Sequence, residues 1–191
     1  MQPMNDIKES KQRLLLHCCC APCASYALEC LIPLYDCTVL FYNPNIEPYY
    51  EYEKRRGELD KLLARNSLLK NVEILDCKYD NDTFVQAVGQ LRSEPEGGIR
   101  CTICYELRLR ETAKRAKDGN FDIFTTTLSV SPYKNAKILN DIGAGLAVEY
   151  GIGYLRSDFK KHDGYRRSVE LSKKYGLYRQ NYCGCMYGGD E

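Results

Sequence analysis

"RLLLHCCCAPC", residues 13–23, runs from an apolar segment into a packed group of thiols and then to a proline. Leu14, Leu15 and Leu16 make a short apolar run of strand length, and Arg13–His17 reads as a β-strand. Pro22 suits the first turn of a helix running to about Leu31, because its missing N–H would have no partner there. The loop between them, His17–Cys23, is four-sevenths cysteine. Disulfide partners, zinc ligands, iron–sulfur ligands and plain residues of a buried turn are all open readings of it at this point.

Outward from this stretch the same alternation continues. Cys37–Tyr42 ("CTVLFY"), Val72–Asp76 and Phe121–Thr127 ("FDIFTTT") are apolar or β-branched and read as strands. Between them lie helical patterns. "PYYEYEKRRGELDKLLARNS" (48–67) sets Tyr52, Leu59, Leu62 and Leu63 near one face, and Asp82–Leu91 carries Phe84, Val85, Val88 and Leu91. Cys101–Lys117 spaces Tyr105, Leu109, Ala113 and Ala116 helically, and "SPYKNAKILNDIGAGLAVEY" (131–150) suggests Ser131 as N-cap with Pro132 in the first turn.

Strands alternating with helices predict an α/β fold: a Rossmann-like, mainly parallel sheet with helices on both faces. The whole chain, 1–191, is expected to form a single domain, with residues 1–12 a flexible tail. Residues 152–191 read as a basic, tyrosine-rich C-terminal extension. In such sheets ligands gather beyond the carboxyl ends of the strands, which is where His17–Cys23 falls.

Composition sets the class. At 44% hydrophobic and 28% charged residues the chain is neither disordered nor fibrous, and its apolar runs are far too short for a membrane span. The polar start "MQPMNDIKESKQ" builds no signal peptide, so a cytoplasmic protein without a membrane partner is expected. In that reducing compartment eleven cysteines point to metal or redox chemistry before structural disulfides.

Two further thiol groups follow the first. "RCTIC" holds Cys101 and Cys104 at the start of a predicted helix, where the dipole favours thiolate charge. A C-x-x-C pair suits any tetrahedral thiolate site, and a redox pair, a zinc knuckle and two core cysteines stay open. With the adjacent cysteines of the first group the count reaches four, and that spacing favours a [4Fe–4S] cluster over zinc. "YCGCMYGG" flanks Gly184 with Cys183 and Cys185, and a disulfide across one residue would be strained and easily reduced. Cys30, Cys37 and Cys77 stand singly and read as core.

Together "HCCCAPC", "FYNPNIEPYYEYEKR", "RCTICYELRLRETA", "TTTLSVSPYKN" and "DFKKHDGYRRSVELSKKYGLYRQNYCGC" resemble the QueH family of epoxyqueuosine reductases, across residues 13–187. The resemblance implies a cobalamin-independent oxidoreductase for the last step of queuosine biosynthesis, reducing epoxyqueuosine in tRNA to queuosine. It places [4Fe–4S] ligands at Cys19, Cys20, Cys101 and Cys104 and a redox-active disulfide at Cys183–Cys185. Cys18, just before the first pair, leaves a one-residue shift of ligation open. The family also implies room for a second, mononuclear iron, for which Cys23 is the candidate contact, with Asp122 and Asp158 as candidate carboxylate helpers. An external electron donor completes the set of partners.

Charge placement agrees with an RNA partner. From Gly153 to Gln180 eight basic residues face three acids, and five tyrosines interleave or follow closely. Arg166, Arg167, Lys173, Lys174 and Arg179 are the candidate tRNA contacts, with aromatic rings able to stack on an unpaired base. A solvated charged helix face explains the same residues. His17 is a candidate proton donor or a structural histidine. The hydroxyls of Thr125, Thr126, Ser129 and Ser131 suit a phosphate or plain capping. No P-loop pattern is present. Two other classes fit the residues alone: a zinc-stabilised tRNA-binding module, and a thiol–disulfide oxidoreductase acting on proteins.

Overall fold

A computed structural model describes residues 11–188. The expectation of a flexible tail over residues 1–12 falls outside that range except for Lys11 and Gln12.

The leucines of the first strand decide the layering. In β1 (Arg13–His17) successive side chains point to opposite faces, so Leu14 and Leu16 enter one apolar cluster and Leu15 enters another. β2 (Asp36–Phe41) repeats the pattern, with Val39 and Phe41 on the first side and Leu40 on the second. Both faces therefore need cover. On the first lie α1 (Ala21–Leu31), α2 (Tyr49–Arg65) and α6 (Gly164–Tyr175). On the second lie α4 (Ile99–Asp118) and α5 (Ala136–Tyr150). The short α3 (Asn81–Val88) packs on α4 through Phe84 and Val88.

Among the described residues five strands form one sheet in the order β3-β2-β1-β4-β5, with β3 Glu73–Asp76, β4 Ile123–Thr126 and β5 Gly153–Tyr154. Every pairing is parallel: Leu16 lies opposite Val39 on one side and Thr125 on the other. The Rossmann-like reading is what the chain adopts. The order reverses between β1 and β4, so their carboxyl ends, His17 and Thr126, open the crevice where such sheets bind ligands.

One reading changes. The helix expected from Ser131 begins at Ala136, because Asn135 and not Ser131 accepts the N–H groups of Lys137 and Ile138. Ser131 instead accepts from the Tyr133 N–H in a turn before it. Within the basic C-terminal stretch, β5 extends the sheet, while α6 packs on α1 and buries Leu171 and Tyr175 in the first cluster.

Candidate functional site: a thiol cavity at the switch point

α1 starts where the thiols are. Cys20 is its N-cap, Pro22 lies in its first turn and Cys23 is its third residue, so the positive end of the helix faces these sulfurs. The Sγ atoms of Cys19, Cys20 and Cys23 all lie within 4.8 Å of one another, with 3.8 Å between Cys19 and Cys20. Three thiols so close share charge unequally. Hydrogen bonds from Cys20 and Cys23 pull the Cys19 pKa well down, and the same bonds push Cys20 up to about 12 and raise Cys23. Cys18 is apart: its sulfur is fully buried in the first apolar cluster, donates to the Cys20 carbonyl at 3.2 Å, and is raised by burial.

The second pair lies on the first turns of α4. Cys101 packs against the same apolar cluster as Cys19, and its sulfur accepts the Gly97 N–H at 3.2 Å. Cys104 is buried beside Phe84 and Val88, and burial pushes it up to about 12. Neither belongs to the close group of three formed by Cys19, Cys20 and Cys23. Of the third pair, Cys183 lines a cavity together with Cys19 and Cys23, and Cys185 packs against the cluster of Phe84, Val88 and Cys104; both thiols act to raise the Cys104 pKa. All of these thiols are free.

That cavity holds cations which sequence patterns alone would not single out. Arg55, Arg108, Lys134 and Arg179 line it with the thiols, and Tyr165 and Tyr182 complete its mouth. Arg108 is 1% exposed and, among the described residues, has no carboxylate partner. Its Nε donates to the Cys104 carbonyl at 3.3 Å, its Nη1 reaches Asn43 Oδ1 at 3.5 Å, and its buried Nη2 has no partner. Burial works against its charge, yet the thiols of Cys104, Cys183 and Cys19 outweigh burial and raise its pKa. Lys134 behaves alike, with burial opposing its charge and Cys183 and Cys19 holding it protonated. Such cations cost several kcal/mol to bury beside neutral thiols and are compensated beside thiolates. The donor set therefore fits an anionic thiolate–metal assembly.

The signal for these residues lay in the helical stripes. Arg55 stands three residues after Tyr52 and four before Leu59, and Arg108 three after Tyr105, so each is a cation on an apolar face.

Other candidates are placed elsewhere. Asp122 lies at the amino end of β4 and accepts the Arg13 N–H, and Asp158 pairs with Lys160 at 3.2 Å. Neither lines the thiol cavity. His17 is completely buried, with Nδ1 2.9 Å from Thr126 Oγ1 and Nε2 3.0 Å from the Tyr42 carbonyl. Burial and Arg108 lower its pKa to about 4, so it is a neutral tie between strand ends. The hydroxyl row is occupied too: Thr125 donates to the Leu155 carbonyl and Thr126 accepts the Leu128 N–H. Of the basic candidates, Arg179 alone lines the cavity. Arg166 pairs with Asp163 and Glu170, Arg167 with Glu29 and Glu170, and Lys173 and Lys174 are exposed at the end of α6. Among the described residues no helix is long and apolar enough to cross a membrane.

A parallel α/β layer with clustered thiols, backed by buried cations, at its switch point defines a cysteine-centred α/β protein. The family model "Epoxyqueuosine reductase QueH" matches residues 14–191. Proteins of that name are 44% identical in Streptococcus pyogenes, over 98% of this chain and 75% of the relative, and 38% identical in Thermotoga maritima, over 91% and 88%. A third, from Staphylococcus epidermidis, is 39% identical over 93% and 76%. The chain belongs to the QueH family of epoxyqueuosine reductases.

Proposed function

We propose that this chain removes the epoxide oxygen of epoxyqueuosine in tRNA and leaves the alkene of queuosine, in the cytoplasm and without cobalamin. The epoxide takes up two electrons and two protons and yields alkene and water. The thiols of Cys183 and Cys185 give up two electrons and two protons and close to a disulfide, which an external donor reduces for the next turn. The observation that carries this reading is the single cavity shared by Cys19, Cys23 and Cys183.

Cys19, Cys20, Cys101 and Cys104 would hold a [4Fe–4S] cluster, with Cys23 contacting a second, mononuclear iron. When bound, these groups supply single electrons and a Lewis acid. The chain's own residues do the rest. Arg108 and Lys134 keep positive charge against the thiols, and Tyr165 and Tyr182 enclose the modified nucleoside away from water. Arg179 meets a phosphate at the mouth, and Arg166, Arg167, Lys173 and Lys174 attract the RNA from further out.

The test is nucleoside analysis of epoxyqueuosine-containing tRNA after anaerobic incubation with the iron-loaded protein and a reductant. Queuosine should accumulate over many turnovers with the wild type. Cys183→Ser and Cys185→Ser should stop multiple turnover while retaining wild-type iron and sulfide. Absence of queuosine with the wild type rejects the function, and undiminished turnover in either variant rejects the dithiol. Zinc in place of iron and sulfide would favour the zinc-stabilised module instead.

A further inference from the structure

One side chain reaches from α2 to the backbone of the Cys-Gly-Cys loop. Arg55 is 2% exposed and is held by a buried ion pair to Glu51 at 2.7 Å, one turn earlier on the same helix. Its Nη1 donates to the Cys183 carbonyl at 2.9 Å and its Nη2 to the Tyr182 carbonyl at 3.3 Å. Its guanidinium lies 5.0 Å from the Tyr182 ring centre. Gly184 adopts a φ of +98°, and a Cβ there would stand 3.0 Å from Arg55 Nη1 and 3.2 Å from its Cζ. The loop is thus pressed on the guanidinium with only glycine's room between them. The Gly184 carbonyl is tied in turn by the Glu47 N–H at 2.8 Å.

These ties hold the loop that carries the dithiol. Cys183 lines the cavity with Cys19, Cys185 packs against the cluster of Phe84, Val88 and Cys104, and the two thiols are unbonded. A disulfide needs the two sulfurs about 2 Å apart and a Cβ–S–S–Cβ angle near a right angle. Reaching it across one residue must re-aim the peptide units at Cys183 and Gly184, whose carbonyls Arg55 and Glu47 hold.

We infer that Arg55, oriented by Glu51, is a positioning residue that favours the open dithiol over the closed disulfide. The fork of hydrogen bonds to the carbonyls of residues 182 and 183 fits the open loop, and closing the disulfide works against it. Opening and closing conserve atoms in the usual way: two thiols lose two electrons and two protons as the S–S bond forms, with oxidised glutathione as acceptor in the assay. The inference rests on the redox role proposed for Cys183 and Cys185.

The experiment equilibrates the full-length, anaerobically purified protein in glutathione redox buffers, quenches with an alkylating agent, and quantifies the peptide carrying both cysteines by mass spectrometry. Arg55→Lys keeps the charge and loses the fork. Glu51→Gln/Arg55→Gln removes the pair together, so that no lone charge stays buried. Circular dichroism confirms that each is folded. Arg55→Lys should shift the equilibrium toward disulfide about fivefold, and the double variant about tenfold, which is about 30 mV toward the more reducing side. Wild-type equilibria in both folded variants overturn the inference while leaving the dithiol intact. A wild-type peptide that closes in no buffer overturns the dithiol and the inference together.

Discussion

Thr127 holds Cys19 at two points, taking its backbone N–H at 3.3 Å and lying 3.6 Å from its sulfur with the same oxygen. The contact crosses the switch point, because Cys19 follows β1 and Thr127 follows β4. Thr127 is completely buried, so no water replaces its hydroxyl. Thr127→Val keeps the shape and strands the Cys19 N–H. It should cost about 1–3 kcal/mol in urea unfolding of the metal-free protein, and Thr127→Ser should recover most of that.

Arg108 predicts opposite signs in two measurements. In the metal-free protein it is a buried cation with an unpartnered Nη2. Arg108→Met fills the space without charge and should leave the metal-free protein as stable as wild type or about 1–3 kcal/mol more stable. The same change removes the charge that compensates the thiolates, so iron retained per chain after anaerobic reconstitution should fall by more than half. Loss of stability together with full iron retention would mean that Arg108 serves packing alone.

Much of this arrangement is written in local sequence, and the parts that are not share one cause. β1 matches the predicted Arg13–His17 at both ends, because three leucines before a polar loop leave no other period. Helix α5 starts four residues later than expected, since Ser131 and Asn135 are both good caps and only the tertiary path of the turn chooses between them. The two-residue strand β5 carries too few side chains to show a period. For the site, clustering along the chain exposes Cys19, Cys20 and Cys23. That Cys183 joins Cys19 and Cys23 at one cavity, with Cys185 on the cluster of Phe84, Val88 and Cys104, depends on contacts more than 70 residues apart in sequence, beyond any spacing rule. The resemblance to QueH proteins implies roles for these thiols, whereas Arg55 and Arg108 show in the sequence only as cations on apolar stripes, and their partners appear when the helices are packed.

Cys37 gives a pH dependence far from the site. It is 4% exposed, and burial raises its pKa from an ordinary 9.0 to about 12. The unfolded thiol loses its proton first, so the stability Cys37 contributes is complete below pH 9 and disappears as pH rises toward 12. At pH 10.5 wild type should have lost about 2 kcal/mol through this group relative to pH 8. Cys37→Ala should lose correspondingly less over the same interval. Urea unfolding of both proteins at the two pH values isolates the difference, since the buried tyrosines titrate in both.

Gly143 tests the packing behind β5. It lies inside α5, where a Cβ would come within 2.2 Å of the Tyr154 ring, and that ring rests against Phe124 with centroids 5.0 Å apart. Gly143→Ala gains helix propensity but cannot be seated without moving the ring. It should destabilise by about 2 kcal/mol or more, seen as a lower urea midpoint. Gly145, two residues on, has nothing within 4 Å of its Cβ position, so Gly145→Ala should be neutral or stabilising.

Arg179 and Arg167 separate two kinds of basic residue that composition treats alike. Arg167 reaches from α6 to Glu29 of α1 at 2.8 Å, and both partners are about 40% exposed. An exposed pair of that sort contributes less than about 1 kcal/mol and leaves little free charge for a phosphate. Among the described residues Arg179 has no carboxylate partner; its Nη1 lies 3.5 Å from the hydroxyls of Ser168 and Ser172, and it borders the cavity that holds Cys19 and Cys183. If tRNA enters there, Arg179→Gln should weaken tRNA binding about tenfold and lower the steepness of its salt dependence by about one counterion. Arg167→Gln should change affinity less than twofold, because the carboxylate of Glu29 already neutralises it. Filter binding at several salt concentrations reads both, and equal losses in the two variants would place the RNA along α6 instead of at the thiol cavity.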